Sequence, residues 1–349
     1  MSNTHITGGT AITNPEQLRN IPGIDIRQVA EVHAKYPMRI SAYYAELMRK
    51  HGQALQKQAI PDPLELYDSD GMIDPLDEEN LSPVPNLVHK YPDRALFLVS
   101  NECAVYCRFC TRKRKVGTSS MVINDDTIRQ GLDYLKKTPA IKDVLISGGD
   151  PLMLPDRKLE EIISQVRAIP SVITIRIGTR IPCTLPSRIT PELAAMLKKN
   201  HPIYINTHFN HPAELTPEAA HACALLADAG IPLGCQTVLL RGVNDSIDII
   251  RDLMYGLLRM RVKPYYLFQA DLTKGTAHFR TKVEKGISIM EQLIGSVSGM
   301  AIPTFALDAP GGGGKIPITP EYIQHIGESF DFTTYKGKKC SYPNVEIND

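Results

Sequence analysis

The chain has 349 residues, 43% hydrophobic and 22% charged, with 39 basic against 38 acidic side chains. This ordinary globular composition fits one large domain with extensions or two modest ones. A net charge of +1 gives no support to a nucleic-acid or acidic-membrane partner. The polar opening MSNTHITGGTAITNPEQL lacks the apolar core of a secretory signal, and no stretch is long and apolar enough for a bilayer. A soluble cytoplasmic protein is the expectation.

Residues 1–93 read as a helical and extended N-terminal region. Segments 27–36 and 38–52 have helical spacing, and IPDPLELYDSDGMIDPLDEENLSPVPNL, rich in Pro and acidic residues, reads as a wrapping arm. From residue 94 to 300 the texture changes to a barrel core, and 301–349 form a lysine-bearing loop and tail. Strands are expected at 95–100, 143–147, 172–178, 202–209, 234–240, 263–268 and 303–308. Helices are expected near 124–137, 157–168, 190–199, 216–229, 246–259 and 283–297. Thr190-Pro191 and Thr216-Pro217 are helix starts, Thr as N-cap and Pro at the first helical position. Alternating β and α implies parallel strands, and their apolar runs suggest burial on both faces. The fold class is therefore α/β, a barrel of six or more units with a helical N-terminal extension.

In such barrels chemistry gathers at the C-terminal ends of the strands. Cys103 follows the first expected strand, Ser147-Gly148-Gly149-Asp150 the second, Arg180 the third and His208 the fourth. Gln269 and Asp271 follow the sixth, and Asp308 with the glycine run follows the last.

Cysteine is the first chemical signal. Cys103, Cys107 and Cys110 fall within eight residues, while Cys183, Cys223, Cys235 and Cys340 are scattered. An odd count in a long chain argues against a disulfide framework. Cys183 and Cys235 read as small buried hydrophobes. C-x3-C-x2-C has no second C-x2-C unit of the kind structural zinc uses, and iron–sulfur clusters prefer four thiolates. Three thiolates leave one iron open to a small molecule. From the residues alone, an open catalytic cluster stands beside zinc or plain structural cysteine.

The run LDAPGGGGKIP (307–317) fails as a phosphate loop. Ala309 stands where the first glycine is required, and Ile316 where Ser or Thr must follow the lysine. What remains is Lys315 on a loop without side chains, suited either to Schiff-base chemistry or to plain solvation at the surface.

C-x3-C-x2-C after the first barrel strand resembles the signature of the radical S-adenosylmethionine superfamily, and PGGGGK resembles the cofactor-lysine motif of the lysine 2,3-aminomutase family. The resemblance runs from about Gln58 to Thr333 and includes SPVPNLVHKYPDRALFL, CRFCTRKR, DVLISGGDPL, NTHFNHP, PYYLFQADL and PTFALDAPGGGGK. It implies a partial (β/α)6-type radical S-adenosylmethionine barrel. It implies a [4Fe–4S] cluster on Cys103, Cys107 and Cys110, with Phe109 beside the adenine of S-adenosylmethionine. Ser147-Gly148-Gly149-Asp150 would receive that ligand's amino group, with Asp150 where the wider superfamily has Glu. Lys315 would carry pyridoxal 5′-phosphate, with Lys90, usually arginine in the family, and Arg94 at its phosphate. Arg112 would pair with the substrate carboxylate, and Asp271 and Asp308 with a distal amine.

The implied reaction is conversion of L-lysine to β-lysine. Arginine and glutamate are alternative substrates, and modification of a lysine serving translation elongation factor P is an alternative role. A flavodoxin- or ferredoxin-type electron donor and a homo-oligomer are implied. Cys223 matches a zinc position of longer members, but the tail offers only Cys340, so no structural zinc is expected. Phe268 stands where tyrosine is frequent.

Overall fold

The computed structural model describes residues 9–344; the first eight residues of the N-terminal region and the last five of the tail lie outside the described residues. Three helices come first: α1 (Ile26–Lys35), α2 (Ala42–His51) and α3 (Gln53–Ala59). Strand β1 (Leu87–Tyr91) then turns back antiparallel to β2 (Arg94–Ser100). Alternation follows: α4 (Asp125–Lys137), β3 (Asp143–Gly148), α5 (Asp156–Arg167), β4 (Thr174–Gly178), a short α6 (Ile181–Thr184), α7 (Pro191–Lys198) and β5 (Ile203–Thr207). It continues with α8 (Pro217–Asp228), β6 (Leu233–Leu239), α9 (Ile247–Arg259), β7 (Val262–Gln269), α10 (Val283–Leu293) and β8 (Thr304–Ala309). The glycine run turns the chain into β9 (Gly314–Pro317), and β10 (Ile323–Ile326), β11 (Ser329–Thr333) and β12 (Lys339–Pro343) form a separate antiparallel sheet.

The main sheet has nine strands in sequential order, β1 to β9, with β2 through β8 parallel and an antiparallel strand at each edge. Six β/α units, β2 to α10, match the partial barrel expected from sequence. The helix starts hold too: Thr190 and Thr216 side chains accept from the N–H groups of Leu193 and Ala219, with Pro at the first position of α7 and α8. Register keeps the strand ends level, pairing Leu98 with Ser147 and Gly178 with Asn206.

Burial alternates along the strands instead of being complete on both faces. Val144 and Ile146 of β3, and Ile175 and Ile177 of β4, are sealed under the helices. Their neighbours Leu145, Ser147, Arg176 and Gly178 line an interior cavity. The expectation of burial on both faces fails because the inner face serves ligand space rather than a filled core.

Elements beyond the reach of periodicity were not expected: α3, α6, β1 and β9 to β12. Strand β1 begins the main sheet inside the segment read as the N-terminal region. The wrapping arm does wrap. Met72 bridges Thr273, with Met72 N–H on Leu272 O at 2.6 Å and Lys274 N–H on Met72 O at 2.9 Å, and Gly311 N–H reaches Pro75 O at 3.1 Å. The N-terminal region also holds the cysteine loop: Tyr106 N–H donates to Arg39 O and Arg108 N–H to Gln58 O, each at 2.9 Å.

Candidate active site

A cavity of about 680 Å3 opens along the barrel interior, and all fourteen residues singled out as site residues line it. They come from β1, β2, the cysteine loop, the ends of β3, β7 and β8, and β9. Gln269, also at a strand end, is turned away and donates through Nε2 to Thr281 O at 2.7 Å.

On one side lies the cysteine loop. Burial pushes the Cys103 thiol well above its usual range and that of Cys110 up to about 11. Those two free thiols stay neutral, so as thiolates they need a positive partner such as metal supplies. Among the described residues no three His, Cys, Asp or Glu side chains converge on one point as ligands of a single ion would. Cys103, Cys107 and Cys110 nonetheless line the one cavity, and three thiolates there are the donor set that an open iron–sulfur cluster uses.

The Ser147–Asp150 turn presses on the start of this loop: Gly149 N–H donates to Ser100 O at 2.5 Å and Asp150 N–H to Glu102 O at 2.7 Å. A Cβ on Gly148, whose φ is +139°, would sit 2.1 Å from Ser100 O, and one on Gly149 2.5 Å from Glu102 O. The paired glycines are thus a close-approach requirement and not merely a turn. Burial pushes Asp150 up to about 6, against N–H and O–H donors from Arg180, Thr179 and Leu152 that favour its carboxylate.

Phe109 stacks obliquely on His208, centroids 5.5 Å apart, and burial drives the imidazole down to about 3, hence neutral. Arg180 Nε, Asn206 Nδ2 and Thr207 Oγ1 are buried without a hydrogen-bond partner among the described residues, and all three residues line the cavity. Such orphaned groups fit a polar small molecule, here S-adenosylmethionine.

On the other side Asp308 and Lys315 face each other across the β8–β9 pair, and the lysine Nζ lies 3.0 and 3.2 Å from the carboxylate oxygens. Phe268 lies beneath that ammonium at 5.2 Å, stacked in turn on Tyr266 at 4.8 Å. Lys90 Nζ is 4.0 Å from Asp308, and Arg94 lies over the Tyr91 ring at 3.8 Å. An aldehyde-reactive amine, an aromatic wall and two nearby cations are a donor set that fits pyridoxal phosphate. Asp271 is pushed up to about 7, first by burial and then by the Asp308 charge.

Sequence reasoning missed the partner of Arg112. Glu78, from the wrapping arm, takes Nε at 2.9 Å and Nη2 at 2.6 Å in a bidentate pair. Nη1 is outside that pair and can serve a carboxylate. Only the arm's acidity hinted at this. Arg180 was placed at the rim from sequence, but its contact with Cys107 Sγ, 2.9 Å from Nη1, was not legible.

The chain matches the model of the radical SAM superfamily over residues 97–253 and that described as lysine-2,3-aminomutase over residues 290–346. An L-lysine 2,3-aminomutase of Fusobacterium nucleatum subsp. nucleatum is 55% identical over 289 residues, 82% of this chain and 68% of that one. The chain belongs to the lysine 2,3-aminomutase family. Another such enzyme, from Clostridium subterminale, is 50% identical over 87% of this chain and 73% of its own length. A glutamate 2,3-aminomutase of Clostridioides difficile is 45% identical over 89% of this chain and 74% of its own. Membership in this radical enzyme family brings a [4Fe–4S] cluster and S-adenosylmethionine with it. No helix among the described residues is long and apolar enough to cross a membrane.

The scattered cysteines take no part in the cavity. Cys183, Cys223 and Cys235 are buried, and Cys340 lies on β12.

Proposed function

We propose that this chain is a radical, pyridoxal-phosphate-dependent 2,3-aminomutase that converts L-lysine to β-lysine. The observation that carries this reading is the meeting of Lys315, Asp271 and Asp308 on the cavity that also holds the three thiols. When bound, the cluster and S-adenosylmethionine supply a carbon radical that takes and returns hydrogen at Cβ, and pyridoxal phosphate supplies the π system across which nitrogen migrates.

The chain's own part is placement. Lys315 holds the aldehyde through Nζ, with Lys90 and Arg94 at the phosphate. Once that amine is engaged, Asp308 loses its nearer counter-ion, keeping only Lys90 at 4.0 Å, and with Asp271 suits the distal ammonium of lysine, because a buried charge needs a partner. Arg112 keeps Nη1 for the α-carboxylate while Glu78 fixes its other edge. Phe109, Ser147, Gly148, Gly149 and Asp150 hold S-adenosylmethionine, and the buried walls exclude water from the radical. A flavodoxin- or ferredoxin-type protein would deliver the electron.

Glutamate is the reading suggested by the Clostridioides difficile relative. It is opposed by two carboxylates, Asp271 and Asp308, on the same cavity, while Glu78 is taken up by Arg112. Purified protein, reconstituted without oxygen, should turn over lysine faster than arginine and far faster than glutamate. Equal or better turnover of glutamate would overturn the substrate assignment.

A further inference from the structure

Arg180 ends the turn after β4, and its side chain is 9% exposed. Its guanidinium is divided between two directions. Nη1 donates to Cys107 Sγ at 2.9 Å, while Nη2 donates to Gln58 Oε1 at 2.6 Å and Glu214 Oε1 at 2.7 Å. Glu214 cannot drift, because Tyr44 Oη and Asn210 N–H each donate to it at 2.7 Å, and His211 N–H at 3.0 Å. The main-chain N–H of Arg180 donates to Asp150 Oδ2 at 2.7 Å, and the neighbouring Thr179 hydroxyl reaches both oxygens of Asp150 at 2.8 and 2.9 Å. One fixed residue therefore touches a cluster thiol and the carboxylate that closes the Ser147–Asp150 turn.

We infer that Arg180 is a positioning residue that raises the reduction potential of the cluster through its N–H···S bond to Cys107. A donor to a thiolate draws electron density from the sulfur and stabilises the electron that the cluster accepts. The step is a one-electron transfer from an external reductant, and no covalent bond changes. The direction of the bond matters: Nη2 is committed to Gln58 and Glu214, which leaves Nη1 held toward the sulfur. The inference rests on the cluster sitting on Cys103, Cys107 and Cys110.

Arg180→Lys keeps a charge for Glu214 but removes the forked guanidinium, whose Nη2 meets Glu214 while Nη1 meets Cys107 Sγ. In the reconstituted holoenzyme this variant should hold iron like the parent. Anaerobic redox titration followed by electron paramagnetic resonance should give a more negative midpoint. A tenfold fall in the reduced-to-oxidised ratio at the parent's midpoint corresponds to about 59 mV. In parent protein labelled with guanidino-15N arginine, pulsed resonance of the reduced cluster should show a weakly coupled nitrogen, and the lysine variant should lose it.

An unchanged midpoint at full iron content overturns the inference, as does absence of the nitrogen coupling in the labelled parent. A weaker affinity for S-adenosylmethionine with the midpoint unmoved also overturns it, by assigning Arg180 to that ligand. If the lysine variant fails to hold iron, the labelled parent alone decides. Full cluster content in Cys107→Ala would instead sink the cluster assignment beneath it.

Discussion

The two sides of the cavity are built on opposite principles. The cysteine side is locked by buried ion pairs. Arg108 and Glu65, with side chains 1% and 0% exposed, meet at 2.5 Å; Lys113 joins the same carboxylate at 2.5 Å; and Glu214 fixes Arg180 at 2.7 Å. The lysine side lies at the seam of an open barrel, where β1 and β9 are the two edge strands. Lys315 is 36% exposed there, against 8% for the Asp308 that partners it. A cluster that must not meet oxygen wants walls that cannot open, and buried charge pairs give that rigidity because breaking one costs about 3–5 kcal/mol. An amine with the role proposed for Lys315, holding a cofactor and then releasing it, wants the reverse, and an edge strand that follows a glycine run suits it.

The contrast can be broken most severely from the locked side. Cys103→Ala, Cys107→Ala and Cys110→Ala should each abolish the cluster and reduce turnover to background, read by iron counting and by the brown absorbance of anaerobic protein. Full iron in any one would show that the three thiols do not work as a unit. From the lysine side, Lys315→Ala should also lose turnover but keep its iron. Borohydride reduction of the pyridoxal-phosphate-loaded parent, followed by peptide mapping, should put the label on Lys315. A label on another lysine would remove that assignment.

Specificity should be a property of the lysine side alone. Removing either aspartate should weaken recognition of a bound ammonium by about 2–5 kcal/mol. The loss should appear in kcat/KM for lysine, with iron and cofactor content unchanged in Asp271→Ala and Asp308→Ala. Asp271, pushed up to about 7, is a neutral acid below that pH and a carboxylate above it. Lysine kcat/KM should therefore rise as pH passes about 7, and Asp271→Asn should lose that limb of the profile. Lysine turnover equal to the parent in both alanine variants would leave these residues structural.

How much could be read before folding differs between the two sides for a physical reason. The cysteine triad, the Ser-Gly-Gly-Asp turn and the glycine-lysine run are local, and local spacing survives in sequence. The seven parallel strands were legible because their apolar runs alternate with amphipathic helices. The locks were not. Glu78 meets Arg112 across 34 positions, Glu65 meets Arg108 across 43 and Arg180 meets Cys107 across 73, and no periodicity connects them. Edge strands β1 and β9 escaped as well. HKY and GKI carry no alternating apolar pattern, and their strand state comes from pairing with β2 and β8.

The smallest predicted effect tests the seam itself. The main-chain N–H of Lys315 donates to Tyr91 Oη at 3.0 Å, so the first edge strand holds the last one next to the reactive amine. Arg94 lies on the same ring, which ties the latch to a residue read as a phosphate contact. The bond is solvent-accessible, and an ordinary hydrogen bond of this kind is worth about 0.5–1.5 kcal/mol net. Tyr91→Phe keeps the ring under Arg94 and deletes only the acceptor. Pyridoxal-phosphate affinity should fall by about two- to tenfold, read by titrating the cofactor absorbance. Iron content and the cluster potential should not move, because the locked side does not depend on the seam. If Tyr91→Phe changed cluster content while leaving cofactor affinity intact, the two sides would not be mechanically separate, and the contrast drawn between them would fail.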